Sequence, residues 1–504
     1  MLRILLELRP ALNGYAGIPQ ETRLLFCALN SLDDINVDGL IQSSNRVLAK
    51  ALPAGIDLQQ HPLSIDQQIN CLSRVVISLQ PDPKPKLLDR ISAQIALVLS
   101  LPALLVRHLV GQDQQLGKFD ATHFQDFIWR SMFERTLPVE HFKLVTRAGF
   151  RVCRVPWSVM HVCALLTNQL GHALYARLDT SDFDVMISET PYPATVSKRT
   201  TLVVRYHDAI PVLMPHTINN RSMHQASHYQ ALRKNVASGA YFACVSDTTR
   251  KDLISIFPQA QERSVTIHNM LSPHYFDDAS QPTRIPGIIQ LRMHTWLSEM
   301  ISRQQHFGLT ADDVSQPLEY LLMVSTMEPR KNHATLLSAW EQLRADRFPD
   351  LKLIIVGMLG WDYLAIVNKC IPWLERGQLF MLEDVLPEEL RLLYKHARAT
   401  VCPSFGEGFD FSGVEAMRCG GVVAASSIAA HLEVYAEAAQ YFSPYSATEA
   451  ATAIAQVIDP AAPTRRQELV QAGADRSKKY LPEVILPKWH DFFSKLSGKA
   501  CRLC

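Results

Sequence analysis

From Leu321 onward the chain alternates short apolar runs with helical stretches, and this alternation restricts its second half to a doubly wound α/β sheet. The runs Leu321–Val324, Leu353–Val356, Leu379–Leu382, Thr400–Cys402 and Val422–Ala425 read as buried strands. Helices are predicted from Asn332, about Tyr363, Pro387, Phe411 and Ala447. Such a mostly parallel sheet carries helices on both faces and binds ligands at the carboxyl ends of its strands.

The first half begins in the same way. A strand over Arg3–Leu8 runs into Asn13-Gly14-Tyr15-Ala16-Gly17 and a helical stretch from Pro19 to about Asn30. After a strand near Asn36–Gln42, mostly helical patterns between Pro62 and Leu178 interrupt the alternation, with a loop-like PDPKPK at 81–86. Alternation resumes at Phe183–Ser188, Thr201–Tyr206, Tyr241–Val245 and Val265–Ile267, and the region from about Asp277 to Pro317 reads as a linker. The expected architecture is two Rossmann-like doubly wound domains facing across a cleft. The boundaries are 1–305 with a helical insertion at about 62–178, 306–480, and a tail over 481–504. In that tail the amphipathic stretch Pro487–Leu496 is expected to pack back on the first domain.

Composition narrows the function classes. With 50 Lys+Arg against 49 Asp+Glu the net charge is +1, so no global attraction to nucleic acid is expected. A chain that is 47% hydrophobic and 20% charged is globular. The ten cysteines are scattered, with Cys244 and Cys402 inside apolar runs, which suits free thiols in a reducing, cytoplasmic compartment. Cys501 and Cys504 form a lone CxxC, read as a mobile tail. The N-terminus acquires charge too soon for a signal peptide. The longest uncharged run, Ile91–Val106, includes Gln94, Ser92, Ser100 and Pro102 and falls short of the roughly 20 apolar residues of a membrane span. It reads as a core helix, or as an interfacial anchor with Lys84, Lys86, Arg90 and Arg107 around it.

Chemistry concentrates at two strand ends. Phe405–Gly420, FGEGFDFSGVEAMRCG, follows a strand, brackets Glu407 with glycines and starts a helix near Phe411 that carries Glu415. A helix start beside a glycine turn aims unpaired N–H groups at the space where a phosphate sits. After the Leu321–Val324 strand, Arg330 and Lys331 stand at another helix start, where exposed cations are disfavoured by roughly 0.3–1 kcal/mol each. A bound phosphate or diphosphate reverses that sign. The alternative is a solvated turn, a surface helix and two solvated cations.

In combination, MEPRKN, VGMLGWDY, LPEELRLLYKHARATVCPS and EGFDFSGVEAMRCGGVVAAS resemble the nucleotide-sugar half of glycosyltransferase family 4. These are retaining group 1 enzymes of the GT-B fold, and the likeness is to mannosyl- and rhamnosyltransferases. Gly14–Gly17, Tyr206–Pro211 and Val245–Leu253 add weaker pieces. The resemblance implies that Glu407 faces the transferred sugar, with the backbone N–H groups of Gly408, Phe409 and Asp410 holding its hydroxyls. It implies that Glu415 accepts from the ribose and that Arg330 and Lys331 bind the diphosphate leaving group. Gly17 would let backbone approach the phosphates, His207 would contact the sugar, and Val385 would touch the base. Where many relatives read EGFGLPPLEA this chain reads EGFDFSGVEA, which puts Asp410 and Ser412 near the sugar, and Ser325 stands where some relatives carry a phosphate-binding arginine.

The function so implied is transfer of a hexose from a nucleoside diphosphate sugar, GDP-mannose or a GDP-deoxyhexose. The acceptor would be a saccharide or lipid-linked saccharide in cell-surface polysaccharide or lipopolysaccharide (O-antigen) synthesis. No metal or other cofactor is expected, no nucleic-acid partner, and a peripheral contact with the inner membrane face. An epimerase or phosphorylase on the same scaffold is a rival reading, although nothing recommends a pyridoxal-phosphate lysine. A catalytically silent nucleotide-sugar-binding or scaffold protein is another.

Overall fold

The computed structural model describes every residue except 13, 15, 16, 54–62, 81–86, 170, 172, 295–317, 462 and 501–504. The PDPKPK loop, the C-terminal cysteine pair and much of the expected linker therefore lie outside the described residues. The chain divides into two compact units. One comprises Met1–His207, Ser222–Val245 and Arg250–Thr266, and the other Asp208–Arg221, Ser246–Thr249 and Ile267–Cys504.

In the N-terminal unit, β1 (Leu2–Glu7) leads through a loop to α1 (Ile18–Asn30) and β2 (Ile35–Gln42). Gly17, with φ of 72°, precedes α1, and Pro19 lies in its first turn, where a missing N–H removes no helical hydrogen bond. The stretch read as an insertion contains α2 (Ile65–Leu79), α3 (Leu87–Leu109) and α4 (Trp157–Gln169). It also supplies β3 (Gly117–Phe119) and β4 (Gly149–Cys153), which extend the main sheet beside β2. Those strands escape a sequence reading because GKF and GFRVC are short and begin with glycine. Further along come β5 (Ala176–Arg177), β6 (Val185–Ser188), β7 (Ala194–Thr195), β8 (Thr201–Tyr206), α5 (Arg221–Ala237), β9 (Tyr241–Cys244) and β10 (Ser264–Thr266). The eight-stranded sheet runs β10-β9-β8-β6-β1-β2-β4-β3, parallel throughout except for β3, while β5 and β7 pair separately.

The C-terminal unit holds β11 (Tyr320–Val324), α6 (His333–Asp346), β12 (Lys352–Val356), β13 (Leu379–Leu382), α7 (Pro387–His396), β14 (Ala399–Cys402), α8 (Phe411–Arg418), β15 (Val423–Ser426) and β16 (Ala439–Phe442). Five strands fall within a residue or two of their predicted positions. The sixth, β16, is a half-buried edge whose AQYF run carries too little apolar signal to stand out. All six are parallel in the order β13-β12-β11-β14-β15-β16. Counted along the chain this is the doubly wound 3-2-1-4-5-6 order, whose direction of winding reverses between β11 and β14. Helices cover both faces, so the strands are buried and nearly all apolar. Trp340 of α6 is fully buried and donates its Nε1–H to Leu351 O at 2.9 Å.

Candidate functional site

The reversal point between β11 and β14 brings two loops together. After β11 the chain forms a tight turn over Pro329–Lys331, and Asn332, with φ of 61°, redirects it into α6. Buried Asn332 donates from Nδ2 to Pro403 O at 2.9 Å and Pro444 O at 2.8 Å, tying this turn to the loops after β14 and β16. Phe405 N–H then donates to Arg330 O at 2.9 Å. On this frame Arg330 donates from Nη1 to Gly406 O at 2.6 Å and to Glu407 Oε2 at 2.7 Å, and from Nη2 to Glu328 Oε1 at 2.6 Å. Lys331 Nζ donates to Glu407 Oε1 at 2.6 Å, so each oxygen of Glu407 is held by a different cation.

Burial opposes charge on Glu407, but Arg330 and Lys331 outweigh it and hold the carboxyl below its ordinary range. Burial also opposes charge on Arg330, and Glu407, Glu328 and Asp208 more than offset it, raising its pKa. Glu328 is pushed upward by burial despite Arg330. The anion that the sequence suggested for the basic doublet is therefore supplied here by two carboxylates of the same unit. The cations do not wait unpaired at a helix tip. They form a neutralised, preorganised clasp in which any phosphate must compete with Glu407.

The second helix tip differs from expectation as well. Asp410, with φ of 65°, caps α8, its Oδ1 accepting from Ser412 N–H at 3.2 Å and Ser412 Oγ at 2.7 Å. Its Oδ2 lies 3.1 Å from His431 Nε2, and His431 Nδ1 lies 3.0 Å from Ser426 O. Burial raises the Asp410 pKa, yet the hydrogen bond from His431 and the nearby Lys331 charge overcome it and hold the carboxylate well below its usual range. One donor of the α8 tip is thus occupied by the chain itself. Gly413 is required in this first turn because a Cβ there would lie 2.4 Å from the Tyr435 ring.

Glu415, buried in the second turn of α8, accepts from Tyr394 Oη of α7 at 3.0 Å, and the Tyr394 ring packs against Tyr275. Gly408 and Phe409 are buried, the phenyl ring lying between Phe411 and Tyr480. Val385 is half-buried just beyond β13. Sequence reasoning missed Glu328, Tyr394, His431 and Asp208. Glu328, Tyr394 and Asp208 lie inside the segments MEPRKN, LPEELRLLYKHARATVCPS and Tyr206–Pro211, whereas His431 lies outside every segment singled out.

Gly17 and His207 belong to the N-terminal unit. His207 follows β8, and its Nε2 lies 3.1 Å from Oε2 of buried Glu189, which follows β6. Glu189 N–H donates to Glu7 Oε2 at 2.9 Å, Glu7 Oε1 accepts from Arg9 Nε at 2.6 Å, and Arg205 donates from Nη2 to Glu21 Oε1 at 2.7 Å. This network sits where the N-terminal sheet reverses its winding, between β1 and β6. Its visible sequence mark is a polar residue closing an apolar run, as in LRILLE and VMISE.

Burial pushes the Glu189 carboxyl up to about 8, with Arg205 pulling the other way. An acid that holds its proton more tightly folded than unfolded contributes fully below its unfolded pKa of about 4.3, and that contribution declines as pH rises toward the folded value. Glu189→Gln removes the slope. Urea unfolding at pH 5 and pH 8 is expected to show wild type losing stability relative to the variant across that interval, and parallel pH profiles would count against a protonated Glu189.

Residues 313–476 match the family described as "Glycosyl transferases group 1", a segment that includes Arg330, Lys331, Val385, Glu407 and Glu415 but not Gly17 or His207. O-antigen chain mannosyltransferase B of Escherichia coli is 29% identical over 209 residues, which are 42% of this chain and 49% of that protein. Serotype-specific mannosyltransferase WbdA of Escherichia coli is 37% identical over 135 residues, 26% of this chain and 16% of that protein. The chain thus spans about half the length, or less, of these curated relatives. Sucrose-phosphate synthase of Thermosynechococcus elongatus covers 99% of this chain and 100% of its own at TM-score 0.56 and 14% identity. Anabaena Alr3699/HepE, solved with UDP and glucose, covers 98% and 100% at TM-score 0.55 and 14% identity. Likeness at that identity establishes the fold, which is of the GT-B type.

Proposed function

We propose that the protein is a retaining glycosyltransferase of the family 4 kind. In this reading it moves a hexose from GDP-mannose or a GDP-deoxyhexose to a saccharide or lipid-linked saccharide acceptor, on the cytoplasmic side, in cell-surface polysaccharide or lipopolysaccharide synthesis. The observation that carries the reading is the Arg330–Glu407–Lys331 clasp at the reversal point of the C-terminal sheet. The mannosyltransferase names of the similar proteins support the donor class.

Cleavage of a glycosyl phosphate builds positive charge on the sugar and negative charge on the departing diphosphate, and fixed cations at that oxygen lower the barrier. Diphosphate oxygens displace Glu407 from Arg330 and Lys331, and the freed carboxylate accepts from the hydroxyls of the transferred sugar. Glu415 takes the ribose hydroxyls, Val385 the base, and the backbone of Gly408, Phe409 and Asp410 the sugar. Gly17 and His207 keep the roles implied by the resemblance. The leaving phosphate accepts the acceptor's proton on the same face, so no separate base is assigned. Arg330 and Lys331 neutralise the diphosphate in place of a metal, so turnover is expected to persist in EDTA.

Incubation with a panel of labelled sugar nucleotides tests this. Slow release of GDP from one donor, abolished in Glu407→Ala and in the near-isosteric Glu407→Gln, is the expected result. Neutralisation of the doublet by Glu407 and Glu328 favours a second reading, a silent nucleotide-sugar-binding or scaffold protein. Tight binding without release would select it.

A further inference from the structure

Helix α3 of the N-terminal unit is anchored by a narrow edge. Leu104 is buried and Leu97, Leu101 and Leu105 are half-buried. By contrast Ile95, Val98, Leu99, Val106, Leu109 and Val110 are 53–77% exposed. Ile95, Val98, Val106 and Leu109 recur at helical spacing, so they form one apolar stripe along a helix about 35 Å long. An exposed stripe of this size marks an interaction surface. From Ile91 to Val110 the chain contains no carboxylate, and Arg107 and His108 close the helix.

Beneath α3 lies a cavity of about 640 Å³. Its walls include Ala96, Ala103 and Leu104 of α3, and its described lining residues include the cations Lys50, Arg107 and Arg154 and no carboxylate. Among the described residues none of the three is ion-paired, although Arg154 donates from Nε to Leu48 O at 3.2 Å. A largely apolar chamber lined by these cations suits an amphiphile that has an apolar tail and an anionic head. The adjoining stripe suits the surface from which such a molecule comes. No helix among the described residues is long and apolar enough to cross a membrane, so the stripe suits an in-plane contact rather than a span.

We propose that α3 docks this chain on an anionic phospholipid bilayer. The outer stripe seats among the acyl chains, and the cavity receives one lipid whose phosphate meets Lys50, Arg107 and Arg154.

Flotation of the full-length protein through a sucrose gradient tests it. The protein is expected to rise with vesicles of phosphatidylethanolamine and phosphatidylglycerol and to remain below vesicles of phosphatidylcholine. Val98→Glu/Val106→Glu, both at exposed positions, is expected to lower the floated fraction about tenfold, as is Lys50→Glu/Arg107→Glu, because each removes one of the two attractions that interfacial binding needs. The milder Val98→Ser lowers it less, and unchanged thermal unfolding of each variant confirms the fold. Donor hydrolysis in vesicle-free buffer is expected to be unaffected by Val98→Glu/Val106→Glu, which separates failure of docking from failure of the proposed reaction. Wild type that stays at the bottom of the gradient overturns the proposal. So do stripe or cavity variants that float like wild type, and so does a wild-type dimer that Val98→Glu/Val106→Glu splits without any vesicle binding.

Discussion

Replacing Arg330 by alanine is expected to slow donor cleavage by about a hundred- to a thousandfold, the usual effect of removing one preorganised donor from a developing oxyanion. The guanidinium spans three acceptors, Gly406 O, Glu407 Oε2 and Glu328 Oε1, and so joins the loop after β11 to the loop after β14. Its loss leaves Glu407 with Lys331 alone and leaves Glu328 buried without its cation. Glu328 escapes by protonating, because burial already raises its pKa. Stability is therefore expected to fall less than the about 3–5 kcal/mol of an unrelieved broken buried pair. Arg330→Lys separates charge from geometry: it restores a cation but not the planar fork, so less than about a tenth of the lost rate should return. The measurements are donor hydrolysis under single-turnover conditions and urea unfolding. A rate within about threefold of wild type in Arg330→Ala would remove the clasp from the chemistry.

The second large effect is on folding. Arg205 and Glu21 are both fully buried in the N-terminal unit and pair at 2.7 Å. Arg205→Met leaves Glu21 without its counter-ion, and a loss of about 3–5 kcal/mol is expected by urea denaturation. Burial already raises the Glu21 pKa, with Arg205 as the leading opposing influence, so removing Arg205 raises it further. A raised folded pKa favours the protonated folded state, so the deficit of the variant is smallest near pH 5 and grows as the pH rises. The double variant Glu21→Leu/Arg205→Met is expected to recover most of the loss, since a buried pair replaced by apolar groups of similar volume is often neutral. A deficit independent of pH would mean that Arg205 acts through packing instead.

Legibility followed the range of the interactions. The strand runs of the C-terminal unit were readable because burial on both faces writes a contiguous apolar signal into four or five residues, as in YLLMV and KLIIV. The Arg330-Lys331 doublet and the Glu407/Glu415 pair were readable as candidates because glycine and helix-start context surrounds them. The edge strand AQYF and the strands GKF and GFRVC were not, since a half-buried or glycine-led run lacks that contrast. Nor was the cap role of Asp410, which depends on a φ of 65° and on His431 lying across from it.

By itself the sequence determined the alternation of strands and helices, the doubly wound class and the residues at the strand ends, because these follow from local periodicity and turn chemistry. Only the tertiary structure decided which charges meet. Arg330 and Glu407 lie 77 positions apart, and Glu21 and Arg205 lie 184 apart, so their pairing depends on which strands the sheet places side by side. The same holds for protonation. The Glu407 carboxyl is held below its ordinary range and that of Glu189 above it because of how much water and how many cations surround each once the chain has folded.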